Sequence, residues 1–395
     1  MSKRDIYILM YKNYEILSFS VDFRNYKTTL IKKLEYYDKA PYGFDKEGGG
    51  KSGQNIGWFF KKLSIPVFRS GYKEIMKATH SRNGMDLLFK GHGLSLSNHY
   101  WFKKENEDLS YDDINFFTNK WDDSFARAIL NEDFEALSHA NINVPDIATA
   151  GWGTKGWIYD EEKGPRLYKL GIIHDEECLG EVLASRLAKR LFNDSEVLTY
   201  DLEMVNGKYA SVCSPMIGID EDLIPLISVL PVDLYKLYHS IQLDKNIRNE
   251  FFRKLQEYGY DDYYRFFAKL ECLRSICFVN DLHFGNISII KNMNSGETRI
   301  APMYDLGGAF GSGKTARQFL AKPNKATLLI IYFIYSNLDP NWDYSWYHEG
   351  NLVGFEDEIR EVLSKSDFYK PEIINFIIDV YRQQKSSLDE LANKK

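Results

Sequence analysis

The chain is poor in cysteine, with four in 395 residues, at 178, 213, 272 and 277. That is too sparse for a disulfide scaffold, and the spacings match no zinc pattern, so a stapled or zinc-organised fold is excluded. Long apolar runs are lacking too: residues 328–335 form the longest, eight residues, against the ~20 that a membrane helix requires. The opening MSKRDIYILMYKNYE is broken by Lys12 before any signal-peptide core develops, which predicts no export and, with so few cysteines, a reducing, cytoplasmic setting. Nor is there an excess of base. Lys and Arg number 50 against 56 Asp and Glu, a net charge of −6, which repels a polyanion and argues against direct nucleic-acid binding.

Aromatic residues are abundant, 27 Tyr and 25 Phe, and are read as core filling rather than as base-stacking platforms. The length allows two or three domains. IYILMY and YEILSFSV flank Lys12-Asn13, a β-hairpin pattern that starts a small sheet. The stretch KEGGGKSG at 46–53 lacks the glycine four residues ahead of its GKS triplet that a phosphate loop needs, and carries no chemistry. From 56 to 134 the pattern is mixed, without catalytic spacing, and reads as part of an accessory domain. Its His92 and His99 have no ligand partner nearby in sequence.

The composition shifts at NINVPDIATAGWGTKG, residues 141–156. This predicts a loop, the strand WIYD, a turn at EEKGP and a strand ending near Lys169. Leu179, Leu183, Leu187 and Leu191 recur every four residues, which argues helix over 177–192. Two strands then flank Asn206-Gly207, a strong hairpin signal. After Pro215 the chain reads as mainly helical, with an amphipathic run over 262–278 that packs Cys272 and Cys277 in the core and a helical tail from Pro371. A β-rich lobe with one helix, followed by a helical lobe, is the order of a two-lobed kinase, with nucleotide between the lobes.

The chemistry-bearing residues cluster in Asn280-Asp281-Leu282-His283-Phe284-Gly285-Asn286. Asp281 and Asn286 have the D-x-x-x-x-N spacing of a kinase catalytic loop, in which the Asp orients or deprotonates the acceptor and the Asn holds Mg²⁺. A strand over 287–290, a turn over 292–296 and a second strand at TRIAPM bring the chain back to Tyr304-Asp305-Leu306-Gly307, so Asp305 is expected beside Asn286 as a second oxygen ligand for Mg²⁺. His283 lies between the two loop residues and takes a site role. Lys169 follows the Gly151-Trp152-Gly153 loop at the spacing where a kinase strand presents an ammonium to the α- and β-phosphates, and Glu181 on the next helix is its expected partner. Gly308 to Thr315 matches G-x-x-x-x-G-K-[ST] in full. A P-loop domain would have to build its parallel sheet from the mostly helical remainder, so the match is read as coincidental.

In that order, TAGWGTKG, YKLG, EVLASRLAKRL, ND-x-H-x-x-N and PMYDLGG resemble the HipA-like kinases, the serine/threonine kinases of type II toxin–antitoxin systems. The resemblance covers roughly 141–390. It implies an α+β, two-lobed protein kinase-like fold (HipA-like) with an N-terminal α/β accessory domain: 1–140 accessory, 141–216 the β-rich N-lobe, 217–395 the helical C-lobe. It implies ATP and Mg²⁺ as cofactors, Asp281 and His283 as catalytic, and Asn286 and Asp305 on the metal. Gly151, Gly153, Thr154, Lys155, Lys169 and Glu181 would serve the nucleotide. A protein substrate and a small DNA-binding antitoxin are the implied partners. In such proteins the glycine loop can be ejected by autophosphorylation of a serine; here Ala148 stands at that position, with Thr149 and Thr154 the nearest hydroxyls. DLHFGNI also resembles the DLHPGN of aminoglycoside and choline kinases, although Val279 stands where those carry a histidine. A small-molecule kinase is therefore one alternative, and a catalytically silent nucleotide-binding module is another.

Overall fold

The structure, a computed structural model, describes residues 5–42, 56–171, 175–231, 233–234, 236–237, 245–279, 284–312 and 338–394. The chain divides into two compact units, one comprising 1–169, 214–224 and 290–299, the other 170–213, 225–289 and 300–395. Among the described residues no helix is long and apolar enough to cross a membrane.

The first unit is organised by the expected N-terminal hairpin. Strands β1 (Asp5–Tyr11) and β2 (Tyr14–Asp22) pair antiparallel about Lys12-Asn13. With β3 (Lys27–Lys33) and β4 (Tyr100–Lys104) they form an antiparallel sheet in the order β3-β2-β1-β4. Alternate side chains of a strand point to opposite faces, and both faces here are covered. Tyr7, Leu9 and Tyr11 join one apolar cluster with Phe19, Phe60 and Phe102, whereas Ile8 and Met10 join another with Trp101, Phe125 and Trp157. This explains the aromatic richness of the chain as core. The outer strand β3 carries Lys27, Lys32 and Lys33 and is exposed along most of its length, a charged edge that resists further strand pairing. The same unit contains β5 (Lys155–Asp160) and all but the last residue of β6 (Gly164–Leu170), which pair as a hairpin with Lys155 opposite Lys169.

Past Pro215 the sequence pattern missed one strand. Residues of β9 (Glu221–Pro225) form a three-stranded sheet with those of β10 (Ser288–Asn292) and β11 (Thr298–Ile300), in the order β11-β10-β9. One reason this stretch belongs to the first unit is a buried pair. The Asp222 carboxylate accepts from His99 Nδ1 at 2.7 Å and from the His99 backbone N–H at 3.1 Å, while the imidazole stacks on Phe117 at a centroid distance of 4.4 Å. His99 thus has a partner, 123 residues away in the chain.

The second unit is built on helices. The helix Glu176–Leu191 buries Leu179, Leu183, Leu187 and Leu191 as their spacing requires. Strands β7 (Asp201–Val205) and β8 (Lys208–Cys213) flank Asn206 and Gly207, both with positive φ, 48° and 74°, which is the backbone of a two-residue type I′ hairpin. The helix Asp261–Cys277 is buried almost continuously from Phe266 onward, including Cys272 and Cys277, and it packs against the helices Lys245–Glu257 and Pro371–Asn393. The last of these begins on Pro371, where a missing N–H leaves no helical bond unmade.

Replacing Asp222 with Ala leaves two buried donors of His99 without an acceptor. The expected loss of stability is about 1–3 kcal/mol, read as a lower urea midpoint. Asp222→Asn, which keeps one acceptor oxygen, should lose less, and equal midpoints for wild type and Asp222→Ala would show that the pair does not hold β9.

Candidate functional site

Two groups of sequence-predicted residues fall in described parts of the chain. Asp281, His283, Lys314 and Thr315 lie outside the described residues.

The first group surrounds Asp305, in the second unit. The segment leading to it is pinned by backbone bonds: Met303 forms a parallel bridge with Val197, its N–H donates to the Glu196 carbonyl at 2.7 Å, and its carbonyl accepts from Leu198 at 3.0 Å. The Asp305 N–H donates to the Tyr200 hydroxyl at 3.3 Å. Asp305 itself has φ +58°, the left-handed region that non-glycine residues seldom occupy and that aspartate tolerates better than most. Its neighbour Tyr304 places its hydroxyl 2.8 Å from Ser288 Oγ and 3.4 Å from the Gly285 carbonyl. Gly285 and Asn286 end a single 3₁₀ turn, Phe284–Asn286, whose exit is fixed by a bond from the Leu226 N–H to the Ile287 carbonyl at 2.9 Å. The residue before Asp305 therefore touches the residue before Asn286. Asp305 and Asn286 would offer one carboxylate and one amide oxygen, hard donors of the kind that suits Mg²⁺, which takes few protein ligands.

Beyond Asp305 the chain folds into a tight turn. Ala309 N–H donates to Leu306 O at 3.1 Å, Phe310 N–H to Cys277 O at 2.8 Å, and Ser312 N–H to Ala309 O at 3.1 Å. Ser312 Oγ also donates to Ala309 O at 2.7 Å and to Gly307 O. Ala309, Phe310 and Ser312 lie within the G-x-x-x-x-G-K-T match, whose Gly313, Lys314 and Thr315 are outside the described residues. A phosphate loop must leave its amides for the anion, and three of the amides here are spent on backbone carbonyls, a physical reason for reading the match as coincidental. Phe310 is fully buried, edge-on to Phe278 at 5.5 Å.

This turn lies against the helix Glu176–Leu191 at Gly180. A β-carbon at Gly180 would fall 2.6 Å from the Ala309 carbonyl oxygen and 2.9 Å from Ser312 Oγ, so only glycine permits the approach. The next residue, Glu181, is 1% exposed, and its Oε2 accepts from the buried Ser211 hydroxyl on β8 at 2.6 Å. Sequence reasoning missed Ser211, because its hydroxyl meets Glu181 only once β8 is folded against the helix.

The second group is the glycine loop of the first unit. A short 3₁₀ turn, Pro145–Ala148, leads into it. Asp146 is buried and accepts from the Trp157 N–H at 2.8 Å, and Thr149 donates its hydroxyl proton to the Pro145 carbonyl at 2.9 Å while accepting from the Trp157 indole at 3.2 Å. Thr154 is also buried. The Lys155 side chain folds back over Gly151, whose φ is +107°; a β-carbon there would be strained by the backbone and would collide with Lys155 Nζ. Burial raises the Asp146 carboxyl to about 7, with the Trp157 N–H and Arg69 opposing, and burial lowers the Arg69 guanidinium to about 10.

No protein-family model matches the sequence, and no curated protein is similar to it. Among solved structures, a chain of the toxin–antitoxin complex of HipA, HipB and operator DNA from Shewanella oneidensis MR-1 is similar over 98% of this chain and 99% of its own, with a TM-score of 0.50 at 12% identity. The Helicobacter pylori proinflammatory kinase CtkA is similar over 61% of this chain and 93% of its own, with a TM-score of 0.39 at 14% identity. The likeness to the S. oneidensis chain assigns an α+β fold of the HipA-like kind.

Gly180→Ala should lower stability by about 1–3 kcal/mol, the usual range for overpacking, measured by thermal denaturation; an unchanged midpoint would show that the turn at 306–312 can yield. Asp146 generates a pH dependence. Its folded carboxyl holds a proton up to about pH 7 while the unfolded one releases it near the ordinary 3.8, so its contribution to stability falls as pH rises through that window. Urea midpoints of wild type should carry this decline, and Asp146→Asn should lack it; parallel profiles for the two would contradict the assignment.

Proposed function

We propose that the chain is an ATP- and Mg²⁺-dependent kinase that transfers the γ-phosphate of ATP to a Ser or Thr hydroxyl of a protein. The observation that carries this reading is the contact of Tyr304 with Gly285 and Ser288, which brings together the stretches bearing Asp305 and Asn286 in a chain of HipA-like fold. Mg²⁺ held there would neutralise charge developing on the transferred phosphoryl group. Asp281 orients the acceptor hydroxyl and takes its proton, with His283 beside it in the loop. Lys169 offers its ammonium to the α- and β-phosphates, and Glu181, fixed by the Ser211 hydroxyl, serves the nucleotide. Gly151, Gly153, Thr154 and Lys155 cover the phosphates. Phosphoryl transfer needs little covalent help, so these roles amount to positioning and charge neutralisation. The proposed setting is cytoplasmic, with a small DNA-binding antitoxin as partner, as HipB accompanies HipA in the S. oneidensis complex.

Incubation with γ-labelled ATP and a cell lysate tests the reading. Label should appear on Ser or Thr of protein, and Asp281→Asn should retain nucleotide binding while losing transfer by orders of magnitude. Label confined to a low-molecular-weight product would mark a small-molecule kinase, and no label in either fraction a binding module. Calorimetry adds a ranking: Lys169→Ala and Asp305→Ala should weaken Mg-ATP binding strongly, Lys314→Ala by no more than a few fold. The reverse order would favour a P-loop nucleotide site.

A further inference from the structure

We infer that Arg69, in the part of the chain read from sequence as accessory, is a positioning residue for the glycine loop and sets the direction of the peptide groups that meet phosphate. The inference rests on the reading of 151–155 as the nucleotide loop. Arg69 is 4% exposed. Its Nε donates to the Gly151 carbonyl at 2.8 Å and its Nη2 to the Thr149 carbonyl, a use of the rigid guanidinium fork that lysine cannot reproduce. The adjacent Ser70 N–H donates to the Trp152 carbonyl at 3.0 Å. On the other side of Arg69, the Phe68 ring lies against the Trp152 ring with centroids 4.5 Å apart, although the two residues are 52% and 61% exposed. Three consecutive residues, 68–70, thus grip the loop at 149, 151 and 152.

The consequence follows from peptide geometry. In a trans peptide the C=O and the following N–H point in opposite directions. With the carbonyls of 149, 151 and 152 turned toward residues 69 and 70, the N–H groups of Ala150, Trp152 and Gly153 are turned away from them. Three such amides within four residues are the elements of an anion-binding nest. Arg69 itself does not face the anion. It acts by holding carbonyl oxygens, the negative ends of these peptide dipoles, off the phosphate side.

The test is calorimetry of Mg-ATP, ADP and adenosine on wild type, Arg69→Gln, Arg69→Lys and Phe68→Ser. Arg69→Gln should bind Mg-ATP and ADP at least ten-fold more weakly while its adenosine affinity stays within two-fold, a split that a general loss of structure would not produce. Arg69→Lys should fall between wild type and Arg69→Gln. Amide hydrogen exchange over 149–156 should quicken in each variant without nucleotide. Should Arg69→Gln fail to fold, Phe68→Ser, which alters a half-exposed ring, should still weaken Mg-ATP several-fold and spare adenosine. Unchanged Mg-ATP affinity in these variants, or equal weakening of all three ligands, would overturn the inference alone. Failure of wild type to bind Mg-ATP would overturn the nucleotide reading and the inference with it.

Discussion

The contact between the Gly180 backbone and the Ala309 carbonyl is the constraint on which the second unit's candidate site depends. It allows the turn at 306–312 to lie flat on the helix Glu176–Leu191, and the turn in turn fixes where the chain leaves Asp305. A larger residue would push the helix off the turn, and Glu181, next in sequence, would move with it. The helix is buried on most of its surface, so it has little freedom to yield. Interiors packed to crystal-like density transmit such displacements rather than absorb them.

Asp305 is held from both directions. Upstream, the bridge of Met303 to Val197 and the Tyr200 hydroxyl fix its backbone; downstream, Phe310 is locked between Phe278 and Phe355. Three residues here, Phe278, Asp305 and Phe310, have positive φ, a conformation that surrounding structure must stabilise. Such concentration next to a carboxylate accords with a site whose geometry is preset before ligand arrives. The first unit uses another device for its glycine loop, in which a buried cation rather than packed rings holds the backbone, and loop carbonyls take the place of a carboxylate as its direct hydrogen-bond partners. Arg69 and Asp146 influence one another electrostatically, yet each is bonded to main chain, so the pair orders the backbone on both sides of the loop.

Local pattern made much of this legible. The hairpin at Lys12-Asn13, the turn at Asn206-Gly207, the strand pair from 155 to 170 and the helices at 176 and 261 follow from alternation, turn chemistry and four-residue spacing, which act over a few residues. The spacing of Asn286 and Asp305 suggested one locus because a short hairpin returns the chain over a fixed distance, whereas Asp281 lies outside the described residues. Strand β9 was not legible. Its five residues carry Asp222 where a buried strand would ordinarily carry an apolar side chain, and His99, far away in sequence, supplies two of the donors that accommodate it.

What the sequence determined by itself is therefore the order of elements and the chemical identity of the candidate groups. Tertiary structure alone decided which long-range partners hold them: His99 with Asp222, Ser211 with Glu181, Gly180 with Ala309, and Arg69 with the carbonyls of Thr149 and Gly151. The physical reason is that each of these pairs joins residues at least 30 positions apart. No local periodicity encodes such a pairing; it exists only after the hydrophobic faces have packed and buried donors and acceptors must find one another.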